Sequence, residues 1–462
     1  MKNKIIIFAV ALLFSTTTAL SQINETSWQL PKKALSFSFS PDSQYVFLNM
    51  FKSLKATNGT IGIFDLKGGK MTFTQEFDAK QCAFSMQKNG LLVMNMDNKS
   101  ELCDYKDGHV DWTFNGKYYG LSLKADCIIF GDELSLKHFS AVKLSDGSLY
   151  REDVMPTGFT QRSWEVVFGD KNRAVIAGTR LLLFDKQKGI INSFKLPMIQ
   201  RGAPNDIYPD STGYIISYKN EIYRFDSDLN LVWNKKHPSS ALTEINVFGD
   251  TIWLVNKGFQ YGGMLFPREK MNRPFIILYD KKSGNEIANK FISDKSDAMF
   301  NIAWNADKSG ALCFFSDRIV FQPMNDKPAI TKVWNEKAFG DIESAYLGAK
   351  AYFMNHATGE LTPYEINKNK FLLTVESGDC YVIDDKLNFV KTSKDKDSYY
   401  EIFSYGNTVC VGRYCPDDND FYLISRDGKT LRHLPKGITS IRKVGNHVIY
   451  LKDDTINRFE LK

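Results

Sequence analysis

Beyond Phe14 the chain has no apolar run approaching the ~18 residues that a membrane-spanning helix needs, so stable insertion into a bilayer is not expected. Histidine is scarce, 6 in 462 residues, and no two form an H-E-x-x-H or H-x-H pair, so no local zinc motif is present. There is no G-x-S-x-G turn to present a serine nucleophile and no C-x-x-C redox pair. Gly428-Lys429-Thr430 ends like a phosphate loop but lacks the upstream glycine and a following helix, which leaves a hairpin turn. Charge of one sign is also missing. The formal net charge of +6 is spread thinly, with lysines such as Lys67, Lys186, Lys281 and Lys429 scattered through turns. That is a solvated rim and not a nucleic-acid footprint.

Cysteine is sparse and badly spaced for a disulfide framework. Of 7 cysteines, Cys127, Cys313 and Cys410 fall inside apolar strands, where a buried small hydrophobe is the expected role. Cys410 and Cys415 are the only close pair, and five positions apart on one strand they point to opposite sides. An odd total leaves at least one thiol free within the chain. No amphipathic helix and no low-complexity linker is recognisable after the first residues.

Residues 1–22 read as an export signal: Lys2 and Lys4, an apolar run from Ile5 to Phe14, and the small-residue site Ala19-Leu20-Ser21. No cysteine follows that site, so a lipid anchor there is not expected. The remainder, residues 23–462, is rich in aromatics, with 34 Phe and 21 Tyr, which suits strands. It repeats one pattern. FSPDSQYVFL from Phe39 is a strand, a tight turn and an apolar strand, and equivalents begin at Phe84, Leu121, Val167, Ile207, Val247, Ala303, Ala345, Phe403 and Lys443. A second hairpin follows most of them, as in IFDLKGGKMTFTQEF from Ile63 and CDYKDGHVDWTF from Cys103. The nearly continuous apolar strands predict burial on both faces, and the alternating ones a place nearer solvent. Four short strands in about forty residues cannot bury a core alone and must stack on their neighbours.

This period is that of a β-propeller. The F-S-P-D-S opening at Phe39 resembles the inner-strand signature of WD-like and TolB-like propellers. The D-x-K-x-G hairpins, with Gly108 four residues before Trp112, resemble quinoprotein-like repeats. The resemblance implies an all-β propeller over residues 26–462 without the quinone cofactor: no two cysteines are adjacent, and Trp233 and Trp334 lack a glycine at the matching spacing. Eight to ten four-stranded blades are expected. The Ala345 unit is ambiguous, because KFLLTVESGDCYVIDD from Lys370 can supply its own inner pair. The last unit stops one strand short, and Ser27-Trp28-Gln29 looks like the fourth strands at Val232-Trp233-Asn234 and Val333-Trp334-Asn335. The N-terminus is therefore expected to close the ring and remove an open edge.

Spacing widens at two places, both read as loops between second and third strands and hence on one face of the ring. The first, Asn256 to Arg273, carries Phe259, Tyr261 and Phe266 with the cations Arg268, Lys270 and Arg273, which suits docking of an acidic or carbohydrate-like partner. The second carries His356, Glu360 and Tyr364, side chains capable of acid–base work. Met50 to Thr60 and Arg413 to Asp420 lengthen the same position. Asp417, Asp418 and Asp420 lack the EF-type spacing and glycine, so a solvated acidic turn is expected and not a Ca²⁺ site.

The expected function is a non-catalytic exported protein, periplasmic or extracellular, binding a protein or glycan on the insertion-bearing face. No cofactor, metal or nucleic acid is expected. Scaffold propellers of envelope assembly resemble it, although their lipid-anchor cysteine is missing here. The alternative is an enzyme with an axial site, either a glycan- or peptide-directed hydrolase or lyase, or a quinoprotein-type oxidoreductase.

Overall fold

The computed structural model describes residues 25–50, 58–78, 82–95, 99–123, 126–131, 138–154, 156, 161–167, 172–178, 180–197, 206–238, 243–258, 273–299, 301–305, 307–315, 317–333, 342–347, 350–355, 360–365, 370–375, 380–391, 398–413, 419–426 and 429–461. The leader reading at residues 1–22 thus lies outside the described residues. All regular elements among them are β-strands, and none is a helix long and apolar enough to cross a membrane.

The strands form ten antiparallel sheets, the blades of a β-propeller. Blade 1 shows the plan: Ser36–Phe39, Tyr45–Asn49, Asn58–Asp65 and Lys70–Asp78, paired in chain order. First strands of blades 3 and 4, 5 and 6, 7 and 8, and 10 and 1 lie against one another, which places the first strands around the axis. Second and third strands are packed between neighbouring blades on both faces. Gly213–Tyr218 of blade 5 is buried at every position, which is why such strands read as continuous apolar runs. Fourth strands lie on the rim and alternate, like Leu149–Val154 of blade 3.

Among the described residues, apolar clusters join neighbouring blades from blade 1 through blade 8, blade 9 to blade 10, and blade 10 to blade 1. Ile61 and Ile63 of blade 1 meet Leu91 and Val93 of blade 2. The ring closes the same way, with Val46, Leu48 and Phe64 of blade 1 against Ile449, Leu451 and Ile456 of blade 10. Glu25–Gln29 supplies the fourth strand of blade 10, with Trp28 opposite Ile456, as the tryptophan match predicts. Leu30 N donates to Asp454 O at 2.7 Å, and Glu25 accepts from Arg432 and Tyr450.

The glycine–tryptophan relationship differs from the sequence expectation. Trp112 does not use Gly108, four residues before it. Its ring lies on Gly147 in the next blade, and Gly108 lies under Phe73 of the previous one. Trp233 does have a matching glycine, Gly284, again one blade further on. The spacing within a blade therefore serves two different interfaces.

Blade 8 corrects the expected Ala345 hairpin. Its first strand, Ile342–Leu347, pairs with Lys370–Val375 and not with Lys350–Asn355. Phe371 is buried there, as suits a second strand packed between blades. Lys350–Asn355 and Glu360–Glu365 instead form a hairpin. Ala351, Tyr352 and Phe353 of that hairpin pair with Tyr400, Tyr399 and Ser398, the start of blade 9's first strand. Blade 9 so becomes a six-stranded sheet extended toward the axis. Leu361 of the hairpin is buried with Tyr399, Val409, Val411 and Ile424. Pro363 stands on the free edge strand, where a missing N–H interrupts no internal ladder.

Alternating strand direction sorts the connections. Turns between strands one and two, and three and four, lie on one face, here the lower. Links between strands two and three, and between blades, lie on the upper face.

Candidate functional site on the upper face

The first insertion leaves blade 6 after Thr251–Asn256 and returns at Phe275–Asp280, the second and third strands, so its two feet are at the upper face. Both of its feet are pinned. Gly258 N donates to Asn256 Oδ1 at 2.9 Å, and Lys257 O accepts from Met299 N at 2.8 Å. Pro274 O accepts from Ile292 N at 2.9 Å. Arg273 is part of this anchorage and not a freely offered cation. Its Nε donates to Ser293 O at 3.0 Å, and its guanidinium lies 4.1 Å from the centre of the Phe291 ring. Phe259, Tyr261, Phe266, Arg268 and Lys270 lie outside the described residues.

The second insertion is not a loop between second and third strands. It arises between the first and second strands of blade 8, at the lower face, and Glu360–Glu365 is a strand. Because Lys350–Asn355 runs antiparallel to a first strand that descends from the upper face, it climbs back toward that face. Asn355 and Glu360, paired at the hairpin's end, therefore come to the upper face beside blade 9. Tyr364 sits opposite Ala351, further down. His356 and the side chains of Glu360 and Tyr364 lie outside the described residues. The register brings neither Glu360 nor Tyr364 to the first insertion's feet, which belong to blade 6.

A polar cluster that sequence reading missed lies at the same end of blade 9. Asp420, at the start of the third strand, accepts from the Tyr399 hydroxyl at 2.8 Å, and its other oxygen lies 2.5 Å from His433 Nε2. Tyr422 stacks on the His433 ring with centroids 4.3 Å apart. Asp420 is thus not the solvated turn residue expected from the acidic run. Burial, with the Asp420 carboxylate beside it, pushes the Tyr399 hydroxyl far above the ordinary tyrosine range. Tyr399 therefore stays protonated and donates. The imidazole is exposed and oriented by a carboxylate, but no serine or cysteine nucleophile contacts it among the described residues. The arrangement fixes side chains for contact and supplies no complete nucleophilic set. No sequence spacing signals it, because Asp420 and His433 meet only through pairing of the third and fourth strands with a bulge between Leu423 and Ile424.

Among the described residues, Asp104, Asp107 and His109 are the one group whose side chains are close enough to share a metal ion. They occupy an exposed lower-face turn in blade 2, where Asp104 and Asp107 accept from the backbone N–H groups of Lys106 and His109 at 2.5 and 3.0 Å. Those bonds account for the carboxylates as turn formers. Cys103, Cys127, Cys313 and Cys410 are buried and unpaired by disulfide, as expected for the last three; the side chains of Cys82 and Cys380, and the whole of Cys415, lie outside the described residues.

No protein-family model and no curated protein matches the chain. Among solved structures it is similar to BamB from Moraxella catarrhalis, at 7% identity and a TM-score of 0.37, over 95% of this chain and 100% of that one.

Proposed function

We propose that this propeller is an exported, non-catalytic binding protein that presents its upper face to a protein or glycan partner bearing acidic groups. The observation that carries the reading is the pinning of the first insertion at both feet to the rigid blade 6. A long segment with aromatic and cationic residues, held on a fixed scaffold, suits docking, because aromatic and arginine side chains dominate contact energetics at low ordering cost. The upward return of the axial hairpin supports the same face, placing a second projecting element there. The chain is read as one propeller domain following a leader at residues 1–22, acting outside the cytoplasm without a cofactor or nucleic acid.

Affinity capture from the native envelope and culture medium tests this reading. The intact chain should retain a specific partner, and replacing residues 259–272 by a short Gly-Ser link should abolish its retention while leaving the melting temperature unchanged. Undiminished retention by the shortened chain would remove the insertion from the function.

A further inference from the structure

Blades 5 and 10 share a register at the lower face, and the difference between them exposes a site. In blade 5, Ile215 pairs with Arg224 and Asp210 with Gly213; in blade 10, Ile449 pairs with Arg458 and Val444 with His447. Arg224 and Arg458 are thus equivalent, and so are Asp210 and Val444. Arg224 Nη2 lies 3.2 Å from Asp210 Oδ1, and Lys281 from blade 6 lies 3.7 Å from the other oxygen. One carboxylate therefore joins an arginine and a lysine across that interface. Burial pushes the Asp210 carboxyl upward, yet the Thr212 bonds and the two cations outweigh this and hold it below the ordinary carboxylate range.

At the seam between blades 10 and 1 the arginine remains and the carboxylate is missing; Leu66 stands where blade 6 has Lys281, and Lys67, the next residue of that turn, brings the second cation to the site. Arg458 Nη1 donates to Leu66 O at 3.2 Å and Nη2 lies 2.8 Å from His447 Nε2. Those contacts fix the plane of the guanidinium and leave further N–H donors, of the five an arginine carries, uncommitted. Burial, then the Arg458 charge, holds His447 below the ordinary histidine range, so the imidazole accepts from Arg458 without neutralising it. Among the described residues no carboxylate lies within ion-pair distance of Arg458 or Lys67. Glu460 accepts from Asn446 at 2.6 Å, and Asp65 accepts from the Lys67 backbone N–H at 2.8 Å. A cavity of about 250 Å³ opens where the carboxylate would be, lined by Lys67, Arg458 and His447 above an apolar floor of Leu66, Val444 and Ile449.

We propose that this seam pocket binds the oxyanion group of a small ligand, a phosphate or a carboxylate, in the position that the Asp210 carboxylate takes between blades 5 and 6. Arg458 is the directional anchor, Lys67 the second cation, and the apolar floor accommodates a short hydrocarbon or sugar-ring body. The ligand bridges the first and last blades, so its binding stabilises closure of the ring, since whatever binds the folded state alone raises its apparent stability.

Calorimetric titration of the full chain at constant ionic strength tests this, with inorganic phosphate in one arm and butyrate in the other. One saturable site of about 1 mM or tighter is expected for at least one anion, with a melting temperature that rises as it saturates. The arm that saturates identifies the oxyanion. Lys67→Gln should weaken binding severalfold, and Arg458→Gln at least tenfold. Val444→Asp supplies the carboxylate from within and should abolish binding while the melting temperature in chloride stays equal or rises. That outcome separates a lost site from a lost fold. No saturation by either anion at about 10 mM, or binding that survives Val444→Asp in the folded protein, overturns the proposal.

Discussion

Trp233 Nε1 donates to the carbonyl of Lys281, one blade further round the ring, at 3.1 Å, and the indole covers Gly284. Trp112 repeats the relationship with the Leu144 carbonyl at 3.1 Å and with Gly147. The outer strand of one blade is thereby locked to the turn of the next by one hydrogen bond and one close approach that a side chain on the turn would obstruct.

The close approach sets the first prediction. A Cβ at Gly284 would lie 2.6 Å from Trp233 Cδ2, whereas one at Gly249 meets nothing within 4 Å; both glycines have positive φ, 70° and 60°. Gly249→Ala incurs backbone strain alone, about 1 kcal/mol. Gly284→Ala adds displacement of the indole, a further 1–3 kcal/mol or so. Urea melts of the two variants should differ by that increment, and equal losses would deny the tryptophan contact an energetic role.

Closure of the ring gives the second. Removing residues 23–33 strips blade 10 of its fourth strand, uncovers the Ile456 edge and empties the place of Trp28 against Phe64, whose rings are 5.3 Å apart. The thermal midpoint should fall sharply. Trp28→Ala in the intact chain should cost roughly 3 kcal/mol, because the strand remains and the ring alone is lost. An unchanged midpoint after the deletion would show that the seam is held by the Val46, Leu48 and Ile449 core without the strand.

The propeller was legible in the sequence because its signals are local: each tight turn and apolar strand stands within about ten residues, and Trp28 matches Trp233 by its immediate neighbours. The Ala345 unit of blade 8 stays ambiguous in the sequence for the same reason. Ala345 and Lys350 look like two arms of a hairpin, but the partner of Ile342–Leu347 lies beyond an inserted pair of strands. The site was less legible still. Arg273 has the composition of a docking residue, yet Ser293 and Phe291 hold it, and nothing adjacent to Arg273 in the chain says so. Arg458 stands out only when strand register aligns it with Arg224 and shows valine where aspartate belongs.

The axial hairpin carries the third prediction. Leu361 is 1% exposed and packs on the face of blade 9 formed by Val409, Val411 and Ile424. If the hairpin is an integral part of that core, Leu361→Ala should destabilise by about 2–5 kcal/mol, the range for emptying a leucine site. Chemical denaturation measures it. A loss under about 0.5 kcal/mol, as at a surface position, would mean that the hairpin rests on blade 9 without contributing to its stability.

The buried thiols give the last prediction, and its sign follows from which state holds the proton. Burial, reinforced by the Glu101 and Asp111 charges, pushes the Cys103 thiol from 9.0 up to about 11, and burial pushes Cys127 up to about 12 against the opposing pull of Lys186. Cys313 and Cys410 are driven higher by burial alone. In the unfolded chain these thiols ionise near their ordinary value, so the folded state holds more protons once the pH passes that point. Their contribution is complete below about pH 9 and is lost as the pH climbs toward the folded values. Urea midpoints should therefore drop between about pH 9 and 11, and less so in a variant with Cys127→Ala and Cys313→Ala. Iodoacetamide followed by peptide mass spectrometry gives an independent readout. All four thiols should resist alkylation in the folded protein and react in urea, because the reactive species is the thiolate and the fold both buries and protonates it. Alkylation of Cys313 under native conditions would place it outside the core between blades 6 and 7.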